Sequence, residues 1–249
     1  MITTTYGGRL GNLLLEMYTC FWYAQRQRIP VSEVMLPSVY SRCGSLEPDE
    51  NYIKTNEPIF KNVAVNFVQK DLYSIALEKQ RPGKTSLQSA LKSGSKNVLF
   101  PKYTYHYPEN DADRTLFQDL FSVREVIEEQ RRMYSHYLDK NNSVALHVRR
   151  TDYATFKDGQ LLETTDDIMK KLGRHAGCTV VVFSDDIDWC RYNLKNTKCS
   201  MLFHECQAPA YKDMVLMSLF DTIESNEHSS YSYCAKLLNK NIKELPKRV

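Results

Sequence analysis

Residues suited to gripping a phosphorylated ligand stand in the run His147-Val148-Arg149-Arg150-Thr151-Asp152-Tyr153. Guanidinium groups bind phosphate oxygens in pairs and stay charged at any working pH. Neighbouring side chains of an extended segment point opposite ways. One arginine can therefore face a ligand while the other pairs with a carboxylate such as Asp152; the bland alternative is a surface ion-pair cluster. A second group is Ser184-Asp185-Asp186. One carboxylate there can hold a ribose or a base edge, and the other can cap a following helix. A third is His228-Ser229-Ser230-Tyr231-Ser232-Tyr233, where hydroxyls and unpaired N–H groups at a helix start make an anion site. A fourth is the glycine-rich turn Tyr6-Gly7-Gly8-Arg9-Leu10-Gly11-Asn12, with Gly8, Gly11 and Asn12 as candidate contacts.

These groups need elements to carry them. Leu10, Leu13, Leu14, Met17, Phe21 and Ala24 recur at helical steps, so the turn opens a helix that Pro30 ends. Ser143–Val148, Cys178–Phe183 and Ser200–Phe203 read as strands, the second apolar throughout, as a strand covered on both faces should be. Helical stretches follow near Asp166–Leu172, Ile187–Leu194 and Tyr211–Leu219. That βαβ rhythm predicts a parallel, doubly wound sheet whose ligands sit where strands end in loops. Ser122–Glu125 has capping-box spacing, predicting a helix from Ser122 to about Leu138, and a domain boundary is placed at 140/141. The polar stretch Lys79–Lys96 reads as a surface loop or linker. Tyr103, Tyr105, His106 and Tyr107 form an aromatic cluster that could stack on a sugar or edge the core.

Composition narrows the field. The chain has 249 residues, enough for two domains, and 33 basic against 30 acidic residues leave a net charge of +3. Nothing there calls for nucleic acid, and no apolar run is long enough to span a bilayer. Seven cysteines without a CxxC pair predict reduced thiols rather than a zinc knuckle or a disulfide framework.

Taken in chain order, the motifs resemble the α-1,2-fucosyltransferases of glycosyltransferase family 11. Gly8-Arg9-Leu10-Gly11-Asn12 is similar to that family's Gly-x-Leu-Gly-Asn-Gln start, and His147–Tyr153 to its His-x-Arg-Arg-Gly-Asp-Tyr. Phe183–Asp186 with Trp189-Cys190, and Ser229–Asn239, are similar to its two closing motifs. Leu13, Thr151, Tyr233-Cys234 and Ala235 depart from the family pattern, which fits a shifted acceptor preference.

The resemblance implies an α/β, GT-B-like architecture of two facing Rossmann-like domains, 1–140 on the acceptor side and 141–249 for the donor. It implies inverting, metal-independent transfer of fucose from GDP-fucose to a glycan hydroxyl, α-1,2-linked, with no further cofactor. By position Arg149 would meet the β-phosphate and His147 the guanine, with Arg150 and Asp152 in support. Asp185 would hold base or ribose beside Ser184 and Asp186, and Ser229 and Ser230 would meet the phosphates. No residue is singled out by spacing as the general base. Other readings are a transferase using another nucleotide sugar such as UDP-xylose, or a non-catalytic sugar-nucleotide or glycan binder. The chain start offers no signal peptide or membrane anchor, so a soluble, cytoplasmic enzyme is the expectation.

Overall fold

The structure, a computed structural model, describes residues 1–6, 8–37, 40–41, 48–63, 67–68, 70–138, 142–150, 163–195, 197–206 and 208–246. Two compact units divide the chain, Met1–Val123 and Arg124–Val249.

In the first unit, β1 (Ile2–Thr4) leads through the glycine turn into α1 (Leu10–Arg26). This helix is buried on nearly every side, including Leu13, Leu14, Met17, Tyr18 and Phe21, as a helix apolar all round must be. Beyond it come β2 (Leu36–Pro37), β3 (Phe67–Val68), β4 (Gly83–Lys84), α2 (Leu87–Ser93), β5 (Val98–Phe100) and α3 (Asp111–Phe121). The sheet runs β1-β5-β4, all parallel, and β2 pairs in parallel with β3. A parallel bridge from Ile2 to Val34 brings the β2 segment alongside β1.

Two local expectations fail here. The stretch 79–96 is not a plain loop, because it contains β4 and α2. Ser86 accepts a hydrogen bond from the Ser89 N–H at 3.2 Å, Gly94 closes the helix at φ 61°, and Ala90 is its buried anchor. Serine cap and glycine stop were both present in a segment that its polarity made look featureless. Nor does Ser122 cap the next helix. It ends α3, its N–H bonded to the Gln118 carbonyl at 2.7 Å, and its hydroxyl is buried without a partner among the described residues. The predicted single helix is α4 (Arg124–Met133) followed by a separate turn of helix at Ser135–Leu138.

The second unit holds α4, β6 (Ser143–Val148), α5 (Thr165–Gly173), β7 (Thr179–Ser184), α6 (Ile187–Asn193), β8 (Ser200–Phe203), α7 (Tyr211–Met217), β9 (Thr222–Ser225) and α8 (Ser230–Leu238). Its sheet is parallel in the order β8-β7-β6-β9. Every residue of β6 is buried, so the sheet is covered on both faces. On one face Val144, Leu146 and Val148 join Val180, Val182, Ile168, Leu172, Cys190 and Leu194 in a single core. Counted from β6, the order is 3-2-1-4, that of the first half of a doubly wound nucleotide-binding sheet. The direction of winding reverses between β6 and β9, and it is outside the carboxyl ends at such a reversal that sheets of this kind receive ligands. β9 is short, half-polar and was not foreseen.

Candidate functional site

Of the residues singled out in the sequence, those of the second unit that the structure describes gather at the carboxyl ends of its sheet. β6 delivers His147, Arg149 and Arg150; β7 delivers Ser184 and Asp185; β9 runs through Ser225 into a turn that starts α8. His147 lies opposite Ser225 in the parallel register, which places both at the reversal point.

Each strand end is fixed by its own bonds. Lys171 on α5 donates to the Ser225 carbonyl at 2.7 Å and pairs with the buried Glu163 carboxylate. Burial raises the Glu163 pKa while Lys171 opposes that shift. Asn226 turns the chain, its carbonyl and side-chain oxygens accepting from Ser229 and His228 N–H groups at 3.2 and 2.8 Å. Ser229, fully enclosed, caps α8 by accepting from the Ser232 N–H at 3.4 Å. Ser230 opens the helix.

The His147 imidazole is buried, 3.2 Å from the Ser232 hydroxyl through Nδ1, and tilted against Tyr231 with centroids 5.3 Å apart. Burial first, then the neighbouring Arg149 charge, push its pKa down to about 4, and Lys236 pushes the same way against Asp185. The ring is thus neutral at neutral pH, able to donate from one nitrogen and accept at the other. Lys236, on α8, is itself partly enclosed, and desolvation lowers its pKa.

Arg150 behaves differently from its neighbour. Its backbone N–H donates to Asp185 Oδ1 at 2.8 Å, and its guanidinium lies 3.9 Å from the Trp189 ring centre. Its Nε is buried without a hydrogen-bond partner among the described residues. Asp152, the carboxylate expected beside the arginines, lies outside the described residues, as do Gly7, Thr151 and Tyr153. Ser184 accepts from the Asp186 N–H at 3.0 Å, and Asp186 caps α6 by accepting from the Trp189 N–H at 3.2 Å. Of the two adjacent aspartates, then, Asp186 holds the helix and Asp185 ties the ends of β6 and β7 together. Ser232, Lys236 and Trp189 were not singled out as site residues. Ser232 follows from the helix period alone, since the residue three beyond an N-cap faces the cap.

A second buried pair stands at the end of β8. His204 Nε2 and Asp213 Oδ1 are 2.8 Å apart, walled by Phe183, Tyr134 and Tyr137.

In the first unit, Gly8 adopts φ 79°, and a Cβ there would fall 1.8 Å from the Asn12 amide nitrogen. Only glycine suits that turn. Gly11 is buried in α1, Asn12 stands in its first turn, and Arg9 precedes it without a side-chain cap.

Among the described residues no group of three or more His, Cys, Asp or Glu side chains is placed to hold a metal ion. No described helix is long and apolar enough to cross a membrane. Cys20, Cys178, Cys190, Cys199, Cys206 and Cys234 carry free thiols, and Cys43 lies outside the described residues.

A parallel sheet wound 3-2-1-4, with arginines after its first strand and a serine-capped helix after its fourth, defines an α/β protein of the doubly wound, Rossmann-like class. Residues 59–243 match the model of glycosyl transferase family 11, and the chain belongs to that family. The match contains every candidate of the second unit, while the turn at Gly8–Asn12 precedes it. No curated protein matches by sequence. Among solved structures, the fold is similar to that of POFUT1 in complex with GDP-fucose, at 14% identity and TM-score 0.52, covering 98% of this chain and 97% of that one. It is equally similar to the NodZ alpha-1,6-fucosyltransferase soaked with GDP-fucose, at 13% identity and TM-score 0.52 over 95% and 92% of the two chains. The fucosyltransferase NodZ from Bradyrhizobium aligns at 12% identity and TM-score 0.50 over the same shares.

Proposed function

We propose that the chain is a fucosyltransferase that moves fucose from GDP-fucose to a hydroxyl of a glycan acceptor, α-1,2-linked and with inversion. The observation that carries this reading is the meeting of His147 with Ser225 and with Ser232 of α8 at the winding reversal of the second sheet, with the Arg149 charge acting on the same imidazole. Family membership and a fold shared with GDP-fucose-using enzymes support it.

In this reading the acceptor oxygen attacks the anomeric carbon from the face opposite the diphosphate. The carbon–oxygen bond to the β-phosphate breaks, its electron pair leaves on GDP, and the proton of the acceptor hydroxyl is released as the new glycosidic bond forms. The chain's task is to stabilise that growing negative charge. Arg149 forks onto the β-phosphate, and the N–H groups at the start of α8, beside Ser229 and Ser230, face the phosphates. Neutral His147 meets the guanine without adding a third charge, and Asp185 accepts from the base or ribose while it holds the Arg150 backbone. Arg150, laid on Trp189, keeps the strand end in place, with Asp152 in support. Positive charge of this kind makes a divalent cation unnecessary.

Incubation with GDP-fucose, UDP-xylose and other GDP-sugars, followed by nucleotide release with and without EDTA, tests the proposal. GDP release from GDP-fucose alone, unchanged by EDTA, is expected. A preferred UDP-sugar, or strict dependence on added Mn²⁺ or Mg²⁺, would overturn it.

A further inference from the structure

We infer that the loop Pro101–Asn110 is a carbohydrate platform whose exposed tyrosine, Tyr103, stacks on one pyranose ring of the acceptor. This inference rests on the reading of the chain as a glycan-modifying transferase. The loop leaves β5 at the carboxyl edge of the first sheet, and the turn carrying Gly8 leaves the neighbouring strand β1 at the same edge. That edge is where parallel sheets receive ligands.

The loop is held in a costly shape. Tyr103 has φ 63°, a left-handed conformation that disfavours any residue with a Cβ. What fixes it is Glu16, wholly buried in the middle of α1, whose carboxylate accepts the Tyr103 N–H at 2.6 Å. Burying a carboxylate is costly, and one of its bonds here holds the loop. One turn along α1, the Thr19 hydroxyl accepts the His106 N–H at 2.9 Å while donating to the Leu15 carbonyl. A turn further on, Trp22 stacks on the His106 ring at 3.5 Å, and Asp113 bonds both, at 3.1 Å to Trp22 and 3.3 Å to His106. Glu16, Thr19 and Trp22 lie at steps of three, so one face of α1 clamps the loop at successive points.

All this presents a tyrosine ring to solvent. Tyr103 is 40% exposed, so it adds little to the core. Its ring lies 6.4 Å from that of Tyr105 and tilted by 74°, and Tyr105 lies 5.9 Å from Tyr107 at 56°. Lys102 brings its ammonium to 5.8 Å from the Tyr103 ring. Rings so inclined offer single faces rather than the parallel slot that grips a nucleobase. A rigid apolar face with an ammonium close by matches a pyranose, which has an apolar C–H face and a hydroxyl rim.

Saturation-transfer NMR tests this with methyl glycosides of galactose, glucose, mannose and N-acetylglucosamine, irradiating the aromatic protons of the full chain. At least one glycoside should receive saturation on contiguous C–H protons. Tyr103→Ala should cut that transfer about 3- to 10-fold, the range expected for one lost aromatic contact, and Tyr103→Phe should keep it. Tyr103→Gly relieves the left-handed backbone, so it should melt no lower than the native protein and still lose the sugar; a purely structural tyrosine would not separate the two. Stabilisation by GDP should be the same in every variant. No transfer to any of the glycosides, or equal transfer in Tyr103→Ala, overturns the platform. Failure of GDP to stabilise the native chain, with the sugar effect intact, would instead overturn the donor reading alone.

Discussion

The imidazole of His147 and the hydroxyl of Ser232 meet 3.2 Å apart, joining the end of β6 to the first turn of α8. Both groups are buried, and the contact spans the place where the sheet reverses its winding. It makes the imidazole a structural tie as well as a candidate contact for the base.

That tie predicts a specific sensitivity to acid. The His147 pKa is about 4 in the folded chain, against an ordinary value near 6.5 when unfolded. Above pH 6.5 the ring is neutral in both states, and stability is fully present. As the pH falls the unfolded chain takes up a proton that the folded one refuses, so stability declines until the folded ring titrates near 4. Across that window the loss is about 3 kcal/mol. In His147→Gln this contribution should vanish, flattening stability between pH 6.5 and 4.5 in urea titrations relative to the native chain. An unchanged slope would assign the acid sensitivity to other groups.

Arg149→Ala should abolish transfer while leaving the fold intact. Loss of a charge-assisted phosphate contact in a shielded site costs about 10²- to 10³-fold in rate. Arg149→Lys should recover little, since a point charge cannot reproduce a two-pronged fork. Steady-state rates with GDP-fucose check both, and an alanine variant within about threefold of native would remove Arg149 from the proposed role.

The buried His204–Asp213 pair serves stability. Asp213→Ala leaves a His204 nitrogen without its partner in a site walled by aromatic rings, a loss of about 1–3 kcal/mol. Asp213→Asn retains an acceptor oxygen at the same place and should recover most of it. Chemical denaturation of the three proteins measures the difference; equal midpoints would mean that the pair contributes nothing.

What could be read beforehand follows from the physics of each element. Strands β6 and β8 carry enough consecutive apolar residues that their bounds, Ser143–Val148 and Ser200–Phe203, were legible from the sequence. The adjacent arginines stood out because a strand end is a poor place for decoration. β9 was missed because Thr222-Ile-Glu-Ser225 pairs along one edge only, and an alternating four-residue strand has no apolar run. Ser122 misled because serine serves either end of a helix, and tertiary packing decided for α3. The loop tyrosines were visible, but Glu16 as their clamp was not. A carboxylate in the middle of an apolar helix signals a buried partner, yet nothing in the sequence says that the partner is a backbone N–H 87 residues away.

The remaining prediction separates the donor nucleotides. Guanine offers N1–H and N2–H₂ as adjacent donors, and a carboxylate is the side chain that accepts from both. Asp185 already accepts the Arg150 N–H through Oδ1 at 2.8 Å, but two oxygens offer about four lone-pair positions, so a base edge can share the group. Uracil lacks that pair of donors, and a site shaped for them leaves buried polar groups unmatched when it binds the wrong base. Because a ligand that binds only the native state raises its melting temperature, GDP should stabilise the chain clearly more than UDP at equal concentration. Asp185→Ala should shrink that gap. It should also lower the melting temperature without ligand, since the bond tying the ends of β6 and β7 goes with it. A thermal-shift titration of both nucleotides against both proteins reads the two effects separately. Equal shifts from GDP and UDP in the native chain would move the donor from GDP-fucose to another nucleotide sugar. A gap that survives Asp185→Ala would leave GDP as the ligand and place its recognition on other residues.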